Sequence, residues 1–117
     1  MKKRTRLSPE VRRATLIQCG IQSANEVGLT NVRHSSIKDK HTELFAPISM
    51  GTTFNYFKTP EALQRALVEE ILINDVDHRN ILVLEACFVV IRMNWQDLLE
   101  PASLAYESCN CFWGELR

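Results

Sequence analysis

An all-α fold with a single core is what this sequence predicts, on three observations. Two helix starts share one form: Ser8-Pro9-Glu10 and Thr59-Pro60-Glu61. Each sets a hydroxyl N-cap before a proline at the first helical position, followed by an acid suited to the positive end of the helix dipole. Between and after them, apolar residues recur every three or four positions, the period of a helix with one buried side. The chain has 117 residues of which 45% are apolar, enough for one core and too little for two.

Met1 to Leu7 carries Lys2, Lys3, Arg4 and Arg6 and no acid, a composition that cannot bury itself. It is expected to form a flexible basic arm able to lie against phosphates or enter a minor groove, a solubilising tail being the simpler alternative. From Ser8 onward, Val11, Ala14, Ile17, Ile21 and Ala24 define the buried stripe of a first helix, which Gly28 stops. Arg12 and Arg13 in its first turns are open to phosphate or to solvent. Asn31 is placed to cap a second helix running from Val32 to about His41, with Arg33, Lys38 and Lys40 on its exposed side. Leu44, Phe45 and Pro47 within residues 42–48 predict a buried turn.

Ser49 then caps a third helix to about Lys58. In it Phe54 and Phe57, three apart, are expected to grip the core, leaving small hydroxyls, an amide and a phenol for a partner. A fourth helix follows from Thr59 with the stripe Leu63, Ala66, Leu67, Ile71 and finally Asn74, and with Glu69, Glu70, Asp75 and Asp77 making its far end acidic. Asp77 is placed to cap a fifth helix through Met93, apolar all round and so expected to be buried between two subunits; Phe88 to Ile91 also has strand propensity. Beyond Trp95 a short helix to Glu100 is expected to end at Pro101, with a turn or two over 102–106. The tail Cys109 to Trp113 needs something to pack on.

Net charge is zero, yet residues 1–58 hold 10 Lys/Arg and 4 Asp/Glu, a charge of +6, whereas residues 59–117 hold 4 and 10, a charge of −6. A polyanion is drawn to the first half and repelled by the second. The apolar run from Ile81 to Met93 contains Glu85 and Arg92 and is shorter than the ~20 residues of a membrane span, so no membrane partner is expected. With no apolar leader, a reducing cytoplasm and free thiols are expected. Cys109-x-Cys111 offers two ligands and makes a poor zinc site. His34, His41 and His78 have no acid or nucleophile at a catalytic spacing and read as isolated surface residues, so neither enzymatic activity nor a cofactor is expected.

A basic arm (1–7), three helices with a tight turn before the third (8–58) and an acidic helical extension (59–117) together read as a helix-turn-helix DNA-binding unit followed by a dimerising part. Asn55 can pair with adenine, Thr53 can meet a thymine methyl and Tyr56 can donate to phosphate. The DNA-facing set read from the residues is then Lys2, Lys3, Arg4, Arg6, Arg33, Lys38, Ser49, Thr53, Asn55, Tyr56 and Lys58. The competing expectation is a small helical protein-interaction module that uses no DNA.

The stretch Ser49-Met50-Gly51-Thr52-Thr53-Phe54-Asn55-Tyr56-Phe57, then Thr59, Glu61 and Leu63, resembles the TetR-type regulators. Their third helix has the form Ser-x-Gly-Thr-x-aromatic-x-Tyr-Phe, followed by a hydroxyl residue and a helix start. The resemblance implies phosphate contacts from Thr52 and Tyr56, base contacts from Met50, Thr53 and Asn55, and a structural Phe57. The chain departs from the family in three ways. The interval from Gly28 to Ser49 is about five residues longer. Pro60 stands where a phosphate-binding lysine is common, a role open to Lys58, and Phe54 lacks the usual tyrosine hydroxyl. Only 59 residues (117 − 58) follow Lys58. No ligand-binding domain or small-molecule effector is therefore expected, and the resemblance implies a minimal homodimeric regulator of double-stranded DNA, of the sort found on phages or plasmids.

Overall fold

The Ser8 hydroxyl accepts the Val11 amide at 3.3 Å, and from this cap α1 runs Pro9–Val27. The computed structural model describes residues 8–74 and 82–115, the side chains of 109–115 excepted. The expectations for Lys2, Lys3, Arg4 and Arg6, for Asp75, Asp77 and His78, and for the packing of the aromatic tail lie outside the described residues. After α1 come a 3-10 turn at Leu29–Asn31, α2 (His34–Leu44), α3 (Met50–Tyr56) and α4 (Pro60–Glu69), which opens into a π turn at Glu70–Asn74. Then follow α5 (Leu82–Met93), a 3-10 turn at Gln96–Leu98 and α6 (Leu99–Glu115). The described residues are all-helical with no strand, so Phe88 to Ile91 belongs to a helix.

One core joins these elements. Leu16, Ile17 and Cys19 of α1, Ile37 of α2 and Phe57 meet Leu63, Leu67 and Ile71, and the same cluster continues through Val83 and Val90 to Leu98, Ala102 and Ala105. It crosses Lys58 without a break, so the segments 8–58 and 59–115 share their interior. Leu63, Ala66, Leu67 and Ile71 are buried as their spacing predicts, while Asn74 is exposed and donates to the Glu70 carboxylate. The expected stripe of α1 holds for Ile17 and Ala24, which are buried, and for Ile21, half-buried against the core, but Val11 and Ala14 are exposed, and Leu16, Cys19, Gly20 and Ser23 are buried as well. The reason is that α1 packs against both α2 and α4. A Cβ on Gly20 would lie 2.7 Å from the Leu67 side chain, so glycine allows that close approach.

The junction after α1 differs from expectation in a way that positions α2. Gly28 takes φ +95°, a conformation that L side chains avoid. Asn31 donates to the Val27 carbonyl at 2.7 Å, satisfying an orphan acceptor at the end of α1. It does not cap α2, which begins two residues later, where the Ser36 hydroxyl accepts the Arg33 amide at 3.1 Å. Between them Leu29 is held by both of its main-chain groups. Its amide donates to Glu85 Oε1 of α5 at 3.0 Å, and its carbonyl accepts from Gln64 Nε2 of α4 at 2.7 Å.

Thr42 to Leu44 extend α2, and Leu44 and Phe45 are exposed, so the expected buried turn is a surface turn. Pro101 does not break α6. It sits in the first turn, where an amide has no intrahelical acceptor to lose. At the other end of the molecule the Arg65 guanidinium bonds Asp97, pairs with Glu69 at 3.5 Å and lies 5.3 Å over the Trp95 ring, tying α4 to the turn before α6. Hydrogen bonding from Arg65 holds the Asp97 carboxyl below its ordinary range. That contribution to stability is present at neutral pH and is lost as pH falls through the lowered folded value.

α5 is not buried all round. Leu82, Val83, Ala86, Cys87, Val89 and Val90 face the core, but Leu84, Phe88 and Ile91 are 49%, 64% and 70% exposed and form an outer stripe at spacings of four and three. Glu85→Ala leaves the Leu29 amide without its acceptor and is expected to cost about 1–3 kcal/mol, whereas Glu85→Gln keeps an oxygen there and costs less. Urea unfolding midpoints compare the two, and equal losses would exclude the Leu29 bond as the cause.

Candidate nucleic-acid interface

The turn between α2 and α3 is built by side chains of α2. His41 accepts at its carbonyl the amides of both Phe45 and Ala46, at 2.8 and 2.9 Å, and its ring Nδ1 meets the Ala46 carbonyl at 2.5 Å. Seven residues earlier, His34 Nε2 lies 2.7 Å from the Phe57 carbonyl, where α3 has just ended. Both rings are buried, 4% exposed each, which corrects the expectation of isolated surface histidines. Positions 34, 37 and 41 fall on one side of α2, and Ile37 between them is fully buried.

α3 is shorter than the Ser49–Lys58 span expected. Ser49 caps it, accepting the Thr52 amide at 3.2 Å, and its hydroxyl also lies 3.2 Å from the Thr52 hydroxyl. Phe57 is buried under the Arg13 guanidinium, 5.6 Å from the ring centre. Phe54 does not grip the core. It is partly exposed and stacks face to face on His34, with ring centres 3.9 Å apart and planes 8° from parallel.

The outward side of α3 shows Gly51 and Asn55, exposed four apart, with Met50 exposed beside them and Lys58 exposed just past the helix end. Thr52 and Tyr56 are half-buried at its flank, and Tyr56 packs against the core. Thr53 corrects the expected set: it is fully buried and its hydroxyl donates to the Met50 carbonyl at 2.7 Å, so it faces inward and cannot meet a base. Ser49 is exposed with its hydroxyl committed to the cap. Arg33 is exposed just before α2 and Lys38 is half-buried within it.

Lys40 was expected on the exposed side of α2, but its side chain is only 9% exposed. It pairs with Glu26 at 2.7 Å and Glu43 at 3.3 Å, and the hydrogen bond to Glu26 leads in raising its pKa. Burial raises the pKa of the neighbouring Cys19 thiol against the opposing pull of Lys40, and Cys19 is a free thiol. The Lys40 pairs gather two of the four carboxylates in residues 8–58 around one buried cation, a group that keeps a net charge of −1. Among the described residues Arg12, Arg13, Arg33, Lys38 and Lys58 enter no ion pair.

Reasoning from the sequence overlooked the two histidines, because only apolar residues were counted along α2. Counting an imidazole as a buriable ring turns His34, Ile37 and His41 into a regular stripe. Among the described residues no three His, Cys, Asp or Glu side chains gather as a metal site, and no helix is long and apolar enough to cross a membrane. Comparison with known protein families, with characterised proteins and with solved structures finds no match to this chain.

Asn55→Ala is expected to relax preference at one base position at a cost of about 1–3 kcal/mol, and Tyr56→Phe to weaken every duplex alike. Titrations against single-base variants of a selected duplex read both effects, and matching profiles for the two variants would rule out the division of roles.

Proposed function

We propose that the protein is a sequence-specific DNA-binding transcriptional regulator, a TetR-like homodimer that acts in the cytoplasm and reads the major groove with α3. The observation that carries this reading is the exposed row of Gly51 and Asn55 on a short helix buttressed by α2, with Lys58 just past its end, among described residues of the N-terminal half whose cations other than Lys40 enter no ion pair. An amide in such a row suits adenine, and unpaired arginines and lysines suit phosphate. The exposed apolar stripe of α5 supports a homodimer, and a dimeric regulator brings two reading helices to paired half-sites.

The same stripe favours a second reading, a helical interaction module that docks on an apolar partner surface and uses no DNA. Salt separates the two. A regulator neutralising 6–10 phosphates loses about 10³–10⁵ in affinity between 50 and 200 mM salt, and deletion of residues 1–6 should make that slope shallower. Failure to shift any duplex at low salt would leave the interaction module as the reading. Combined Leu84→Gln and Phe88→Ser substitutions are expected to halve the mass seen by light scattering, and an unchanged mass would remove α5 from the dimer contact.

A further inference from the structure

Two buried imidazoles on one side of α2 reach the two ends of a single segment, residues 46–57, that contains the whole turn and α3. A carbonyl oxygen only accepts, so the ring nitrogen facing each must carry the proton. The proton facing each carbonyl therefore sits on Nε2 of His34, donating to Phe57, and on Nδ1 of His41, donating to Ala46. Seven residues of helix separate the rings by ~10 Å along the axis, and Ile37 fills the space between them on the same face. The segment is thus held at its start by His41 and at its end by His34, whose ring face also carries Phe54.

We propose that His34 and His41 are the positioning residues of the reading helix, setting the tilt at which α3 presents Gly51 and Asn55. This proposal rests on the DNA-binding reading for its consequence, though not for its geometry. A seven-residue helix has little stability of its own, because most of its amides and carbonyls lie within the unsatisfied end turns. Its orientation must come from outside, and the two imidazoles supply polar contacts at both of its boundaries.

The test uses the full chain and two substitutions that divide the role of His34. His34→Phe keeps a ring against Phe54 and removes the donor; His34→Gln keeps a donor that can reach the Phe57 carbonyl and removes the ring. Long-range nitrogen–proton NMR spectra should show a proton on Nε2 of His34 and on Nδ1 of His41. In His34→Phe, amide exchange over 54–57 should quicken by about tenfold, the size of one buried hydrogen bond, while α4 and α5 keep their protection. Discrimination between a library-selected duplex and random duplex should fall by a similar factor, and His34→Gln should recover a measurable part of both. Unchanged exchange in α3, absence of either ring proton, or loss of protection throughout the protein would each overturn the proposal. If the wild type binds no duplex while the ring and exchange signatures stand, the DNA-binding reading fails and the positioning of α3 survives.

Discussion

The main chain of Leu29 is the point on which the arrangement depends. A 3-10 turn after a glycine in a left-handed conformation would ordinarily be a loose connection, but here both polar groups of one residue are taken, by Glu85 from α5 and Gln64 from α4. The Leu29 side chain is itself fully buried. The start of α2 is consequently fixed to helices that lie far ahead in the chain. The contact has a cost, since turning its amide nitrogen toward Leu29 leaves Gln64 Oε1 buried with no partner among the described residues. Glu85 lies on α5 next to Leu84, so the outer stripe of α5 adjoins the residue that fixes the turn before α2.

Charge is organised by the same economy. Lys40 is the one cation of residues 8–58 seen in an ion pair, and it takes up two carboxylates at once. The basic character of the N-terminal half is thereby expressed at its surface through Arg12, Arg13, Arg33, Lys38 and Lys58. In the other half Arg65 bonds Asp97 and Glu69 beside Trp95, an arrangement that serves packing between α4 and the turn before α6. Exposed pairs of this kind contribute little to stability individually. Their larger effect is on which surface retains uncompensated charge.

Much of the fold was legible from local signals. The caps at Ser8, Ser49 and Thr59 all accept the amides their positions predict, because a hydroxyl before a first turn has few other good partners. The stripe of α4 was legible because that helix buries one side against one core. The stripe of α1 was legible from Ile17 to Ala24 but not before them, since the helix meets two neighbours, and Val11 follows the period yet lies outside. The candidate site was legible in part. Asn55, Met50 and Lys58 are exposed where a partner could meet them, whereas Thr53 and Lys40 turned inward because a threonine can satisfy its hydroxyl on its own helix and a lysine can be buried once two carboxylates face it.

The sequence by itself determined the helical class of the described residues, the caps at Ser8, Ser49 and Thr59, the division of charge between its halves and a short polar helix after Ser49. Those features depend on neighbours within a few residues, or on composition alone. Only the tertiary structure decided that Asn31 closes α1, that Phe54 rests on His34, that His34 and His41 bracket the turn and α3, and that α5 leaves Leu84, Phe88 and Ile91 outside. Phe54 and Phe57 are three apart on one short helix, yet one is stacked at the surface and the other buried. Spacing could not separate them, because the difference is made by an imidazole twenty residues earlier in the chain and by the core that closes over Phe57.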